Sequence, residues 1–328
     1  MRFRVDRGND DGGTRPGAAE NPAVVPGSET TRDKAPDAAE QADTELPDID
    51  WAVLPEGIHR STFAAPSGPL AVISSGDPAA TPVVLAPGAT GSKEDFVLMM
   101  PILAAAGYFT RSYDLAGQYE SAGAGPENLD PPRPHYDYEL FVQDLLAVLQ
   151  DLGRPAHVVG YSFAGTVAGL ALAREQELFA SLTLLSCPPL AGQSFRGVSR
   201  IGPFTDLANG RIGAALMIWG IRRNFIPVPP GRLRFVKERF ALTRRQSVRD
   251  IVGLMKRNPE LATALAGIPV PKLVAVGEHD LWPTKMHAEF ADTLGARLAV
   301  YRSGHSPCET SPHQLSRDLL ALFAESHS

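Results

Sequence analysis

Three side chains have the types and positions to act as nucleophile, base and orienting acid: Ser162, His305 and Asp280. A serine hydroxyl is a weak nucleophile until a base takes its proton, and that base needs a carboxylate to hold its tautomer and stabilise its charge. Ser162 lies in Ala156-His157-Val158-Val159-Gly160-Tyr161-Ser162-Phe163-Ala164-Gly165. There a short apolar run ends in glycine, the serine follows two residues later, and small residues lead into an Ala-rich helical pattern. A strand that turns sharply into a helix around an exposed serine has this pattern. Gly160 and Ala164 stand where bulk would meet the neighbouring backbone of such a turn. The same residues also fit an ordinary Gly/Ser turn, so the placement of the other two groups decides between the readings.

That placement follows from the elements. Residues 59–65 and 70–74 read as an opening hairpin around Pro66-Ser67-Gly68-Pro69. Residues 82–86 form a short apolar run suited to a strand covered on both faces. Helices and strands then alternate: helix 94–106, strand 109–113, helix 138–152, strand 157–160, helix 164–174, strand 182–186. After a long interval come strand 272–277, helix 286–294, strand 297–301 and helix 312–325. Repeated strand–helix units imply an α/β fold with a mostly parallel, doubly wound sheet and right-handed crossovers. The C-terminal ends of such strands converge on one crevice. Asp280 follows strand 272–277 within Gly277-Glu278-His279-Asp280, and His305 follows strand 297–301 within Arg302-Ser303-Gly304-His305. All three candidates therefore lie at strand ends.

The sequence resembles the α/β-hydrolase superfamily from about Gly57 to Leu322. Val-Gly-Tyr-Ser-Phe-Ala-Gly is similar to that family's nucleophile elbow, Val-Gly-Glu-His-Asp to its acid turn and Ser-Gly-His-Ser-Pro to its histidine loop. The order Ser162, Asp280, His305 is the family's order. The resemblance implies the α/β-hydrolase fold with a helical lid insertion. It also implies an oxyanion hole at Pro87-Gly88-Ala89, with the backbone N–H groups of Ala89 and Phe163 as donors. The family's usual histidine is replaced by Pro87, which leaves backbone donors available but alters the loop. Tyr113-Asp114-Leu115-Ala116-Gly117-Gln118-Tyr119-Glu120-Ser121 is similar to the family's Asp-Leu-x-Gly-x-x-x-Ser turn, whose role there is structural.

Each assignment has rivals. Glu278 competes with Asp280, and the fourth position of the Gly-x-x-Asp turn favours Asp280. Ser186 stands where some family members place their acid, a role a serine cannot fill. His279 could shape the pocket, His157 begins a strand and reads as packing, His313 and His327 belong to the terminal helix region, and His59, His135 and His287 have no motif context. Cys187 and Cys308 lie on no elbow and read as buried thiols. Trp282, Met217 and Trp219 are candidates to line an apolar acyl or ring pocket, although core packing explains them equally well.

The chain has 328 residues, 44% hydrophobic and 21% charged, the composition of an ordinary globular protein that α/β folds with insertions can occupy as one unit. No apolar stretch is long enough to span a bilayer, the first residues lack a secretory apolar core, and two cysteines make no disulfide framework. A reduced cytoplasmic protein is expected. Residues 1–50 hold six Lys/Arg against twelve Asp/Glu and few large apolar side chains, which predicts a disordered acidic tail. Residues 51–187 and 268–328 make the core, and 188–267 a helical lid with patterns at 211–224, 230–242, 247–257 and 260–266. That lid carries fourteen Lys/Arg against four Asp/Glu, although the whole chain has a formal charge of −6. Either these cations are solvated or clamped to the acidic body, or their field draws in an anionic substrate or acyl carrier.

These observations lead to a cofactor-free serine esterase acting through an acyl-enzyme on a small molecule, anionic or carrying an apolar acyl group. No nucleic-acid partner is expected. Gly123-Ala124-Gly125 lacks the strand and helix of a dinucleotide site, and no metal-ligand cluster is visible. Thioester, lactone, amide or C–C bond hydrolysis and cofactor-free peroxidation fit the same residues. A non-catalytic ligand-binding member of the fold is the alternative from another class.

Overall fold

Apolar runs that cannot face water on either side are what build a parallel sheet, and this chain has several. The computed structural model describes residues 37–197 and 229–325. β1 (Ile58–Ala65) and β2 (Gly68–Ser75) form the expected antiparallel hairpin, and β2 also pairs antiparallel with β4 (Tyr108–Tyr113). From there every pairing is parallel, through β3 (Thr81–Ala86), β5 (Ala156–Tyr161), β6 (Phe179–Leu185), β7 (Lys272–Gly277) and β8 (Arg297–Tyr301). The spatial order is β1-β2-β4-β3-β5-β6-β7-β8, with β5 between β3 and β6. The C-terminal ends of β3, β5, β7 and β8 thus open on one edge.

Alternate residues of each strand feed two cores. Val84, Ala86 and Val158 point into one, with helices α3 (Tyr138–Asp151) and α4 (Phe163–Arg174); Val83, Leu85 and Val159 point into the other, with α2 (Met100–Ala105). The helix expected over 94–106 is broken into a single 3-10 turn, Lys93–Phe96, followed by α2. Pro101 accounts for the break, because a proline without its N–H is tolerated in a helix's first turn and not in its middle. Between β6 and β7 lie α5 (Pro230–Leu242), α6 (Arg245–Met255) and α7 (Ala262–Ala266). The helix expected at 211–224 falls outside the described residues. α8 (Thr284–Leu294) precedes β8, and the short α9 (Pro307–Thr310) and α10 (Pro312–Glu325) end the chain.

The cations of the 188–267 segment are not all solvated. Arg232 and Arg239 are buried against Asp95, Arg232 also reaches Glu309, and Arg244 reaches Glu127. These arginines clamp the segment to the acidic body. Arg222 and Arg223 lie outside the described residues.

The expected disordered tail of 1–50 needs correction at its end; residues 1–36 lie outside the described part. Ala38–Thr44 form a helix, α1, with no buried residue, N-capped by the Asp37 carboxylate. Its anchors are polar, and a count of apolar side chains cannot see them. Asp43 accepts hydrogen bonds from the His313 and Gln314 backbone N–H groups at 2.8 and 3.1 Å and contacts the His313 ring at 2.9 Å. Asp48 accepts from the Gly231 N–H at 3.0 Å. Two carboxylates from this arm thus occupy the N-termini of α10 and α5, where free N–H groups and the helix dipole favour negative charge. Asp43→Ala is expected to cost about 1–2 kcal/mol, the usual worth of a lost N-cap. Scanning calorimetry should show Tm lower by about 2–6 °C for a domain of this size; an unchanged Tm would mean that the arm does not bear on the fold.

Candidate active site

The site begins at the tip of β5. Ser162 follows its last residue with φ 53° and ψ −118°, a left-handed conformation rare for a residue with a side chain. Two contacts hold it there: its N–H donates to the Leu185 carbonyl at 2.8 Å, and its carbonyl accepts from the Gly165 N–H at 2.9 Å. The turn is so tight that a Cβ on Gly160 would lie 2.5 Å from the Ala164 carbonyl oxygen and 2.7 Å from the Gly165 Cα. The second place without room is Gly165, where a Cβ would meet Cys187 Cβ at 2.7 Å. Ala164, the other position that the sequence reading named beside Gly160, is fully buried. Gly160→Ala must move backbone to fit, so a loss of about 1–3 kcal/mol is expected. It should also lower the reactivity of Ser162 toward a serine-directed probe, because the moved backbone carries that residue.

His305 reaches Ser162 from the loop after β8. Its Nε2 lies 3.1 Å from Ser162 Oγ, and its Nδ1 lies 2.9 Å from Asp280 Oδ1, presented by the loop after β7. Residues 143 and 25 positions apart from His305 thereby form one hydrogen-bonded line. The Asp280 side chain is sealed from solvent, and His305 is 22% exposed. Burial alone would push the Asp280 carboxyl up; the His305 and His287 rings and the neighbouring Ser186 hydroxyl outweigh it and hold the group below its usual range. It therefore stands as a carboxylate that accepts from Nδ1–H and from the Leu281 N–H.

The loop Pro87-Gly88-Ala89 leaves the end of β3 against Ser162: a Cβ on Gly88 would lie 3.1 Å from Ser162 Cβ. The loop then turns back, with the Gly91 N–H donating to the Gly88 carbonyl at 2.9 Å and Thr90 at φ 60°. Phe163 is the first residue of α4, where a helix leaves its backbone N–H free of intrahelical partners. Both candidate oxyanion donors thus flank Ser162.

The rivals fall elsewhere. Glu278 and His279 pair with each other at 3.1 Å near the surface. His157 is buried and stacks on Phe323 at 3.9 Å. Burial pushes the Cys187 thiol up to about 12 and the Cys308 thiol well above its ordinary value, so neither supplies a thiolate. Asp114 serves its turn, accepting from the Lys93 backbone and ammonium at 2.8 and 3.1 Å. Trp282 is buried with its N–H on the Ser194 carbonyl at 2.7 Å and its ring 5.9 Å from that of His305. Met217 and Trp219 lie outside the described residues.

Three further groups border the site: sequence reasoning set His287 aside for want of a motif and Ser186 as unable to act as the acid, and it gave Tyr161 no role of its own. His287, on α8, is fully buried with Nε2 4.0 Å from Asp280 Oδ2, and burial pulls its pKa below the ordinary value although the Asp280 carboxylate pulls the other way. Ser186 sits past β6 at φ 45°, facing the same carboxyl but not aligned as a hydrogen bond to it. Tyr161 hydrogen-bonds Ser306 at 2.7 Å and so ties the residue before Ser162 to the one after His305. Only adjacency to Ser162 and His305 marks the last pair in sequence, and nothing marks His287. Among the described residues no group of three His, Cys, Asp or Glu side chains could hold a metal ion, and no helix is long and apolar enough to cross a membrane.

The same architecture occurs in solved structures. The carboxylesterase CesB of Bacillus subtilis superposes with a TM-score of 0.67 at 18% identity, covering 88% of this chain and 97% of its own. An esterase from Exiguobacterium antarcticum gives 0.66 at 19%, covering 81% and 100%. The enol-lactonase of Burkholderia xenovorans gives 0.63 at 18%, covering 80% and 100%. Among curated proteins none is a significant sequence match. The family model described as the alpha/beta hydrolase family matches residues 83–318, a span that includes Ser162, Asp280, His305 and the Gly88 loop, and this chain belongs to that family.

Proposed function

We propose that the protein is a serine hydrolase that cleaves a carboxylic ester-type bond through an acyl-enzyme. The observation that carries this reading is the single imidazole of His305, bonded at 3.1 Å to Ser162 Oγ and at 2.9 Å to the buried Asp280 carboxylate. His305 Nε2 takes the hydroxyl proton as Ser162 Oγ attacks the substrate carbonyl. The charge that builds on the carbonyl oxygen meets the Ala89 and Phe163 N–H groups, donors already fixed in place. The intermediate collapses, and His305 returns the proton to the leaving alcohol. A water molecule, deprotonated by the same Nε2, then releases the acid and restores Ser162. Asp280 keeps the Nδ1–H tautomer and stabilises the imidazolium in both halves.

Every step uses groups of the chain and water alone. Solved neighbours carry the names carboxylesterase, esterase, enol-lactonase and thioesterase domain, all acyl-transfer chemistries that fit one nucleophile. Residues 188–267 act in this reading as the lid that selects the acyl group.

A fluorophosphonate probe, followed by parallel panels of aryl esters, aryl thioesters and lactones, tests the proposal. Stoichiometric labelling with turnover of aryl esters is the expected result. A folded protein that neither labels nor turns over any panel member would overturn it, and would favour a ligand-binding role for the fold.

A further inference from the structure

The loop that presents Ala89 and the loop that presents His305 come from strands β3 and β8, which are not neighbours in the sheet. One side chain from outside the sheet joins them. Arg232, in the first turn of α5, is 2% exposed. Its Nη2 lies 2.6 Å from Asp95 Oδ1 and 2.5 Å from Glu309 Oε1, while its Nε lies 2.8 Å from Glu309 Oε2. Its guanidinium also sits 4.2 Å from the Trp51 ring centroid.

The two carboxylates belong to the two working loops. Asp95 closes the loop after β3: its Oδ2 accepts from the Ser92 N–H at 3.3 Å and lies so near Gly91 that a Cβ there would meet it at 2.5 Å. Gly91 bonds Gly88, and Gly88 abuts Ser162. Glu309 lies on α9, which starts two residues after His305, and its N–H donates to the Ser306 carbonyl at 3.0 Å. Arg239, one side of α5 further along, adds a second bond to Asp95 and contacts Ser92 Oγ at 3.3 Å. Two buried guanidinium groups thus face two carboxylates, and the charges balance.

We propose that Arg232 is a positioning residue that sets the Ala89 loop and the His305 loop relative to one another, so that the site is complete only when α5 is seated. Buried ion networks add little net stability compared with apolar packing of the same volume, because desolvation offsets their attraction. What a bidentate guanidinium fork does supply is fixed geometry between the groups it bridges. Oxyanion donors and a general base are the parts of a hydrolytic site where misplacement of about 1 Å can cost about 100-fold in rate. The inference rests on the hydrolase reading above.

The test uses the full chain and a charge-balanced variant, Arg232→Met/Glu309→Gln, which leaves Asp95 paired with Arg239. The expected result is a kcat for an aryl ester lowered by about 10- to 100-fold, a range typical of displaced catalytic geometry. KM should stay within about twofold, since substrate binding is not the property removed. Fluorophosphonate labelling should slow by the same factor as kcat, because the probe needs the same donors. Should that variant fail to fold, Arg232→Lys carries the test: it keeps the buried charge, but a single ammonium lacks the fork that spans both carboxylates. A lowered Tm with wild-type kcat and labelling in the folded fraction would overturn the inference and leave Arg232 a structural residue. A wild-type protein that does not label would instead overturn the hydrolase reading itself, and the two failures are separable.

Discussion

Ser162→Ala should lose fluorophosphonate labelling outright and lower ester kcat by roughly 10⁶-fold, the size of effect seen when a triad loses its nucleophile. Residual turnover would come from the oxyanion donors and substrate binding acting on water. The backbone supplies an internal control. Ser162 is held at φ 53°, and conformations of that kind cost about 1–3 kcal/mol for a residue with a side chain. Alanine inherits that strain, whereas glycine does not. Ser162→Gly should therefore be as inactive as Ser162→Ala yet melt at a higher temperature, since the relief exceeds the roughly 0.5–1 kcal/mol that glycine costs in backbone entropy. Rates and melting curves of the three proteins check this together. Comparable activity in the alanine variant would remove Ser162 from the chemistry. An active-site strain released without loss of rate would show that the elbow serves packing alone.

Much of this site is legible in sequence because its parts obey local rules. β7 and β8 match their expected bounds at Lys272–Gly277 and Arg297–Tyr301, since each is a short apolar run closed by turn residues. Parallel pairing then forces Asp280 and His305 to the edge where Ser162 emerges, with no further information needed. The parts that sequence hides depend on distance and sign of charge. Asp95 and Arg232 lie 137 positions apart and have the composition of surface residues, yet both are buried against each other. No window along the chain holds both. His287 occupies the buried face of an amphipathic helix, and only the fold brings its ring behind Asp280. Helix α1 fails the test of apolar content for the opposite reason: its anchors, Asp37, Asp43 and Asp48, are carboxylates, whose partners are helix N-termini and basic side chains elsewhere.

Asp280→Asn should lower kcat by about 10⁴-fold while leaving KM and the fold nearly unchanged, as removal of the triad carboxylate does when it strands the imidazole in the wrong tautomer. An amide can turn its NH₂ toward Nδ1, which then becomes the acceptor, and Nε2 carries the proton. A protonated Nε2 cannot take the Ser162 proton across the 3.1 Å that separates them. The variant should label with fluorophosphonate correspondingly slowly. Glu278→Gln gives the matched control: its carboxylate pairs with His279 near the surface, so a change of less than about twofold is expected. Stability offers a second readout whose sign is fixed. The Asp280 carboxyl is held below its ordinary value of 3.8 by His305 and His287, so its ionised form contributes stability above that pH and loses the contribution as pH falls through the lowered folded value. Between neutral pH and the acid limb, Asp280→Asn should therefore unfold with a shallower pH dependence than wild type. The gap between the two should close as Asp280 takes up its proton. If Glu278→Gln carried the 10⁴-fold loss and Asp280→Asn did not, the acid of this site would be Glu278, and the 2.9 Å contact to His305 would be structural.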